Sequence, residues 1–212
     1  MEFDELLKLI GDDPVFESSL LLAGNINPKI VRLQLTRWVN SRRIYQLRRG
    51  LYSIAPPYQK IQPHPFLVAN HLQRSSYVSL QSALAFYGLI PENVNITVSV
   101  TTGRPERLET PLGIFEFRHI KSNLLFGYQM IDLGGQNALV ATPEKALLDL
   151  LYLQPGGESP KYLQEVRLQN LERLDPGLLM KHSKVFDSPK MSKVAKAISQ
   201  WMPGETSEYE EL

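Results

Sequence analysis

The segment 27–54, NPKIVRLQLTRWVNSRRIYQLRRGLYSI, limits what this chain can fold into more than any other stretch. Asn27 is a favoured helix N-cap, and Pro28 suits the first helical position, where a missing N–H costs nothing. At about 100° per residue, Val31, Leu35, Trp38 and Val39 fall on one side, with Ile30 at its margin. Lys29, Arg32, Leu33, Thr36 and Asn40 fall on the other, with Arg37 at the edge. Two short β-prone runs follow, Ile44-Tyr45-Gln46-Leu47 and Leu51-Tyr52-Ser53-Ile54, joined by Arg48-Arg49-Gly50. Gly50 supplies the positive φ that a tight hairpin turn needs. A helix with an apolar back and a basic outer face, followed by a hairpin tipped with arginines, is the pattern of a winged helix-turn-helix.

Upstream, Phe3, Leu6, Leu7 and Ile10 are spaced as one face of a first helix. Asp13 and Pro14 are expected to start a second helix through Phe16, Leu20 and Leu21, ending near Gly24. The turn Gly24-Asn25-Ile26-Asn27 then leads into the basic helix, which becomes the recognition helix. The expected organisation is α+β: residues 1–58 form the winged helix-turn-helix and residues 59–212 a mixed α/β domain. The boundary falls at the proline-punctuated stretch containing Pro56, Pro57, Pro63 and Pro65.

Charge supports a polyanionic partner. The net charge of +1 hides a stretch, residues 18–91, that contains nine Lys and Arg but no Asp or Glu. Average usage would place about nine acids in a segment of that length. A surface that faces phosphates excludes carboxylates in this way, because one misplaced anion repels the ligand. Lys29, Arg32 and Thr36 are expected to face a major groove, with Leu33 against a thymine methyl. Arg37, Arg42, Arg43, Arg48 and Arg49 are expected at phosphates or, from the wing, in a minor groove. Trp38 belongs to the core by its helical position, and Tyr45 and Tyr52 to hairpin packing.

Beyond residue 58, helices are expected from Phe66 to about Arg74 and from Leu80 to Tyr87, the second capped by Ser79 and closed by Gly88. The stretch 75–79 interrupts them. Strands are expected at 95–100, 113–120, 128–133 and 138–141, with Glu116 and Arg118 paired on one face. Thr142-Pro143 opens a helix whose Ala146, Leu147, Leu150 and Leu151 pack inward, and Lys145 and Asp149 form an i,i+4 pair. The rest is helical to Met202, with Met191, Val194, Ala195, Ile198 and Trp201 as its last apolar stripe and a frayed acidic tail from Gly204.

Other classes find little support. Cysteine is absent, which excludes disulfides and thiolate chemistry. His64, His71, His119 and His182 are scattered without ligand spacing, Arg118 cannot replace a deprotonatable lysine beside Glu116, and Gly156-Gly157 lacks a following Lys-Ser/Thr. No catalytic residue, metal or cofactor is expected. The opening MEFDELLKLI does not resemble a secretory signal, and no apolar run approaches the roughly 20 residues of a membrane span, so a cytoplasmic protein is expected.

Four segments together resemble the AbiEi-type antitoxins of type IV toxin–antitoxin pairs: RRGLYSI at 48–54, SYVSLQSALAFYGLIPE at 76–92, PLGIFEFRHI at 111–120 and ATPEKALLDLLYL at 141–153. They follow the family's order. The resemblance implies an N-terminal winged helix that represses its own operon by binding inverted repeats in double-stranded DNA. It also implies a C-terminal domain that counteracts a nucleotidyltransferase toxin without stable contact. Two copies would meet half-sites about 34 Å apart. The alternatives are a stand-alone regulator of a defence or mobile-element locus, and a protein-interaction module built around 76–88.

Overall fold

Proline and a capping side chain set most helix starts in this chain. The structure, a computed structural model, describes residues 1–22, 27–91 and 95–208, the last six of them as backbone only. Its architecture is α+β, with a three-stranded and a six-stranded sheet. Helix α1 (Phe3–Ile10) buries Phe3, Leu6 and Ile10, and the Glu5 carboxylate accepts the Glu2 N–H at 2.8 Å. Strand β1 (Phe16–Glu17) and a 3-10 turn (Leu20–Leu22) lead to α2 (Pro28–Asn40). There the Asn27 side chain accepts the Lys29 N–H at 3.0 Å and Pro28 takes the first helical position, as the sequence implies. The hairpin of β2 (Ile44–Arg48) and β3 (Leu51–Ile54) completes this part, in a sheet ordered β1-β3-β2.

A second helix over residues 14–22 is not formed. Val15 and Phe16 instead point to opposite sides of an extended chain, Val15 into the larger core and Phe16 into the smaller one. Phe16 pairs with Tyr52, and Ser18 donates its N–H to the Gly50 carbonyl at 2.8 Å. Strand pairing along the β3 edge outweighs the helix-start signal of Asp13-Pro14. The expected end at Gly24 and the turn through Asn25 and Ile26 lie outside the described residues.

The hairpin turn is also tighter than Arg48-Arg49-Gly50 suggests. Arg48 remains in β2 opposite Leu51, leaving Arg49-Gly50 as a two-residue turn, with Gly50 at φ +84°. The register slips between Gln46 and Arg48, and the extra residue, Leu47, leaves the smaller core for the larger.

The six-stranded sheet is ordered β6-β7-β5-β4-β9-β8. Its strands are β4 (Ser76–Val78), β5 (Ile96–Thr101), β6 (Glu106–Thr110), β7 (Gly113–His119), β8 (Tyr128–Asp132) and β9 (Asn137–Ala141). β5 runs parallel to β7 and β4 parallel to β9, and the remaining pairs are antiparallel. Helices α3 (Pro65–Leu72), α4 (Leu80–Phe86), α5 (Pro143–Leu153), α6 (Pro160–Val166), α7 (Pro176–Val185) and α8 (Pro189–Glu208) complete the chain. Two strands of this sheet, β4 and β6, escape the sequence reading, as β1 does in the smaller one. The stretch 75–79 is not a mere interruption, because its centre is the buried strand β4, between β5 and β9. β6 is an edge strand, Glu106-Arg107-Leu108-Glu109-Thr110, with a single apolar residue. Asn70 on α3 extends the bonding beside short β4, accepting the Leu139 N–H at 2.6 Å and donating to its carbonyl at 3.4 Å. Along α8, Met191, Val194, Ala195 and Ile198 are buried, but Trp201 is 41% exposed and Met202 takes its place, about three turns after Met191. The backbone stays helical past Gly204 to Glu208, where a frayed tail is expected.

Helix α5 is sealed, and with it an ionic group. Lys145 and Asp149 are both fully buried and form the expected i,i+4 pair inside the core rather than on a surface. Lys145 Nζ also donates to Tyr77 Oη at 2.7 Å and lies over the rings of Tyr77, Phe126 and Phe186. The second Asp149 oxygen accepts from Tyr77 Oη at 3.0 Å and from Ser79 Oγ at 2.8 Å. Ser79 therefore spends its hydroxyl on Asp149 and does not cap α4 with its side chain. Burial lowers the pKa of Lys145 and raises those of Asp149 and Tyr77, while the Lys145–Asp149 attraction opposes the first two shifts.

Candidate nucleic-acid interface

Helix α2 and the hairpin enclose an open groove of about 630 Å³. Its floor is apolar, from Val31, Leu35, Val39 and Tyr52, and its polar walls come from Arg32, Thr36 and Asn40 on the helix and Gln46 and Arg49 on the hairpin. Among the described residues no carboxylate lines it. The groove exists because Val31, Leu35 and Trp38 anchor α2 on the smaller core, with Trp38 edge-on to Phe3 at 5.5 Å. The opposite side of the helix is left to solvent, with Ile30 61% and Leu33 53% exposed. Ile30 thus joins the outer face that the sequence assigns to Lys29, Arg32, Leu33 and Thr36.

The nine residues expected to meet a nucleic acid are all exposed, but they do not act as one set. Arg32, Thr36 and Arg49 share the groove. Lys29, Leu33 and Arg37 stand on exposed parts of α2. Thr36 Oγ1 donates to the Arg32 carbonyl at 2.9 Å, so its hydroxyl oxygen keeps only acceptor capacity for a ligand. Arg43 turns back, its guanidinium 5.1 Å from the centre of the Phe3 ring. Arg48 points away from the groove: it donates to the Leu72 carbonyl at 2.6 Å and lies 3.7 Å from the Glu106 carboxylate. Neighbouring arginines at the hairpin tip are thus split, Arg48 toward the six-stranded sheet and Arg49 at the rim shared by the groove and the concavity behind the hairpin.

Arg42 has a conformational signature of its own. It follows the Ser41 C-cap with φ +56°, its N–H donating to the Val39 carbonyl at 3.0 Å while the Arg43 N–H reaches the Trp38 carbonyl at 2.9 Å. These two bonds make a Schellman ending in which arginine occupies the left-handed position that glycine usually takes. Asn40 and Gln46 escaped the sequence reading as groove residues. Amides of this kind can pair bidentately with an adenine edge. A hint was present, since both are uncharged hydrogen-bonding residues flanking Arg42 and Arg43, but only the turn between helix and hairpin brings them together.

A second concavity lies on the other side of the hairpin, bordered by Arg48, Arg49, His71 and Arg74 together with Glu17. Arg74 is hydrogen-bonded to Glu17, which holds that carboxyl below its usual range, and burial lowers the pKa of His71. Among the described residues no three His, Asp or Glu side chains cluster so as to hold a metal ion, and no helix is long and apolar enough to cross a membrane. Compared with protein-family models and with curated protein sequences, this chain matches none.

Proposed function

We propose that this protein is a sequence-specific DNA-binding repressor whose first 58 residues act as a winged helix-turn-helix, with α2 as recognition helix and β2–β3 as wing. The observation that carries this reading is the groove between them, which gathers Arg32, Thr36, Asn40, Gln46 and Arg49 and, among the described residues, has no carboxylate on its walls. A DNA strand entering that groove would meet cations at its phosphates and amides at its base edges without repulsion. The outer face of α2 would lie in the major groove, where Leu33 can meet a thymine methyl. Pairing of β1 with the hairpin in the sheet β1-β3-β2 supports the same assignment, with β1 and the 3-10 turn standing where the motif's second helix is expected.

The likeness to AbiEi-type antitoxins extends the proposal. The protein would repress its own operon and counteract a nucleotidyltransferase toxin through residues 59–212. A stand-alone regulator of a defence or mobile-element locus is the alternative. Co-expression with the adjacent open reading frame separates them: an antitoxin restores growth to cells expressing that neighbour, whereas a plain repressor does not.

Binding itself is tested by gel shift on the DNA upstream of its own gene against a random duplex, over a range of salt. Affinity should fall with a slope of about −0.9 per neutralised phosphate. Arg49→Ala should weaken binding on both duplexes and shallow the slope by about 1, whereas Arg48→Ala, whose guanidinium is engaged elsewhere, should change it less. Arg32→Ala and Gln46→Ala should alter preference for the specific duplex by about 1–3 kcal/mol. Unchanged shifts for Arg49→Ala and Arg32→Ala would overturn the assignment.

A further inference from the structure

The two edges of the six-stranded sheet, β6 and β8, are unlike. β6 carries Glu106, Arg107 and Glu109, with Glu106 near Arg48 and Arg107 near Glu109. Charges along an edge keep it from pairing with another chain. β8, Tyr128-Gln129-Met130-Ile131-Asp132, has no lysine, arginine or proline and a single acid, at its end. Tyr128, Gln129, Met130 and Asp132 are exposed, and Met130, at the centre, is 64% exposed, more than any other large apolar side chain among the described residues.

The register of β8 shows which of its backbone groups are spare. Gln129 lies opposite Val140 and Ile131 opposite Ala138. At the two ends of this ladder, the Thr142 N–H donates to the Gly127 carbonyl and the Leu133 N–H to the Gln136 carbonyl, both at 2.8 Å. Bonded pairs recur at every second residue of an antiparallel ladder, so Gln129 and Ile131 also spend their backbone groups on β9. The N–H and C=O groups of Tyr128, Met130 and Asp132 therefore point to the free edge, where no described strand lies.

We propose that this edge pairs with β8 of a second copy of the chain, antiparallel and centred on Met130. Such a pairing is unchanged by a two-fold axis, so one surface serves both copies. Met130 then faces Met130, and Tyr128 faces Asp132 at either end. Each of these residues exchanges both of its bonds with its opposite, because all of them carry spare groups. A slip of one residue sets spare groups against spent ones and loses the ladder. In the centred register the two Asp132 side chains stand roughly 14 Å apart along the strands, four residues at about 3.4 Å each, beyond the reach of unscreened repulsion. The paired Met130 side chains lie on the same face of the joined sheet and cover one another. None of this depends on the DNA-binding reading.

Sedimentation velocity of the full chain without DNA, from micromolar to millimolar concentration, tests it. The wild type should pass reversibly from monomer to dimer. Met130→Pro removes an N–H that faces away from β9, a change that an edge strand accepts, and Met130→Lys sets two cations together at the axis. Each should weaken association at least tenfold with the circular dichroism unchanged, whereas Glu109→Lys on β6 should leave it as it was. The chain contains no cysteine, so Met130→Cys supplies a single thiol. A short thiol-to-thiol cross-linker should join two Met130→Cys chains and should not join two Glu109→Cys chains. A chain that stays monomeric throughout the range would overturn the proposal. So would a dimer that persists in Met130→Lys, or cross-linking equal at the two positions. A dimer that binds no duplex keeps the β8 pairing and loses the repressor, and a monomer that binds one does the reverse.

Discussion

Arg42 is held in a conformation that its side chain resists. A left-handed backbone costs a β-carbon residue about 1 kcal/mol, and glycine would relieve it. Arg42→Gly should therefore leave stability unchanged or raise it by up to about 1 kcal/mol in urea unfolding, while weakening duplex binding and shallowing its salt slope by about 1. Tighter folding with weaker binding would identify a side chain kept for its charge. Unchanged binding would show that Arg42 meets no phosphate. The charge itself was legible in the acid-free stretch, but the strained backbone was not, because Ser41-Arg42-Arg43 contains no glycine to announce a helix ending. Arg48 teaches the same lesson. Its residue type is that of a phosphate contact, yet its partners, Leu72 and Glu106, lie far along the chain.

Helix α5 and strand β4 are joined by polar atoms where packing alone would be expected. With Asp149 accepting from Lys145, Tyr77 and Ser79, removal of the lysine leaves a buried carboxylate short of its cation. Lys145→Met should cost about 3–5 kcal/mol, and adding Asp149→Leu should recover a large part of that, as read by denaturant midpoints. Equal losses in the single and double variants would mean that the pair is not coupled. The i,i+4 spacing of the pair was readable in the sequence, whereas its burial was not, since such pairs usually sit in solvent. β4 stayed hidden for a related reason. Three residues flanked by serines carry little strand signal, and its neighbours β5 and β9 come from residues 96–101 and 137–141. By contrast α2 and α5 declared themselves through local caps and prolines, at Asn27-Pro28 and Thr142-Pro143, whereas Pro65 reads as linker although it opens α3 behind a His64 cap.

The parts of the molecule share walls. Val15, Leu47 and Leu51 belong to the larger hydrophobic core although they lie within the first 58 residues, and Lys60 and Arg74 reach back to Asp12 and Glu17. Calorimetric melting of the full chain should accordingly give one transition, and a fragment of residues 1–58 should melt at a lower temperature, with those three side chains left in water. Two separate transitions, the first matching the isolated fragment, would contradict this. Proline punctuation marked where the chain changes direction, but it carried no sign that the hairpin faces two ways, because that depends on the single extra residue at Leu47. The hairpin is accordingly a beam fixed at its base and along one side, and it cannot swing as a free finger. Shortening or lengthening its tip would therefore have to be accommodated by the larger core through Leu47 and Leu51 as well as by the smaller one.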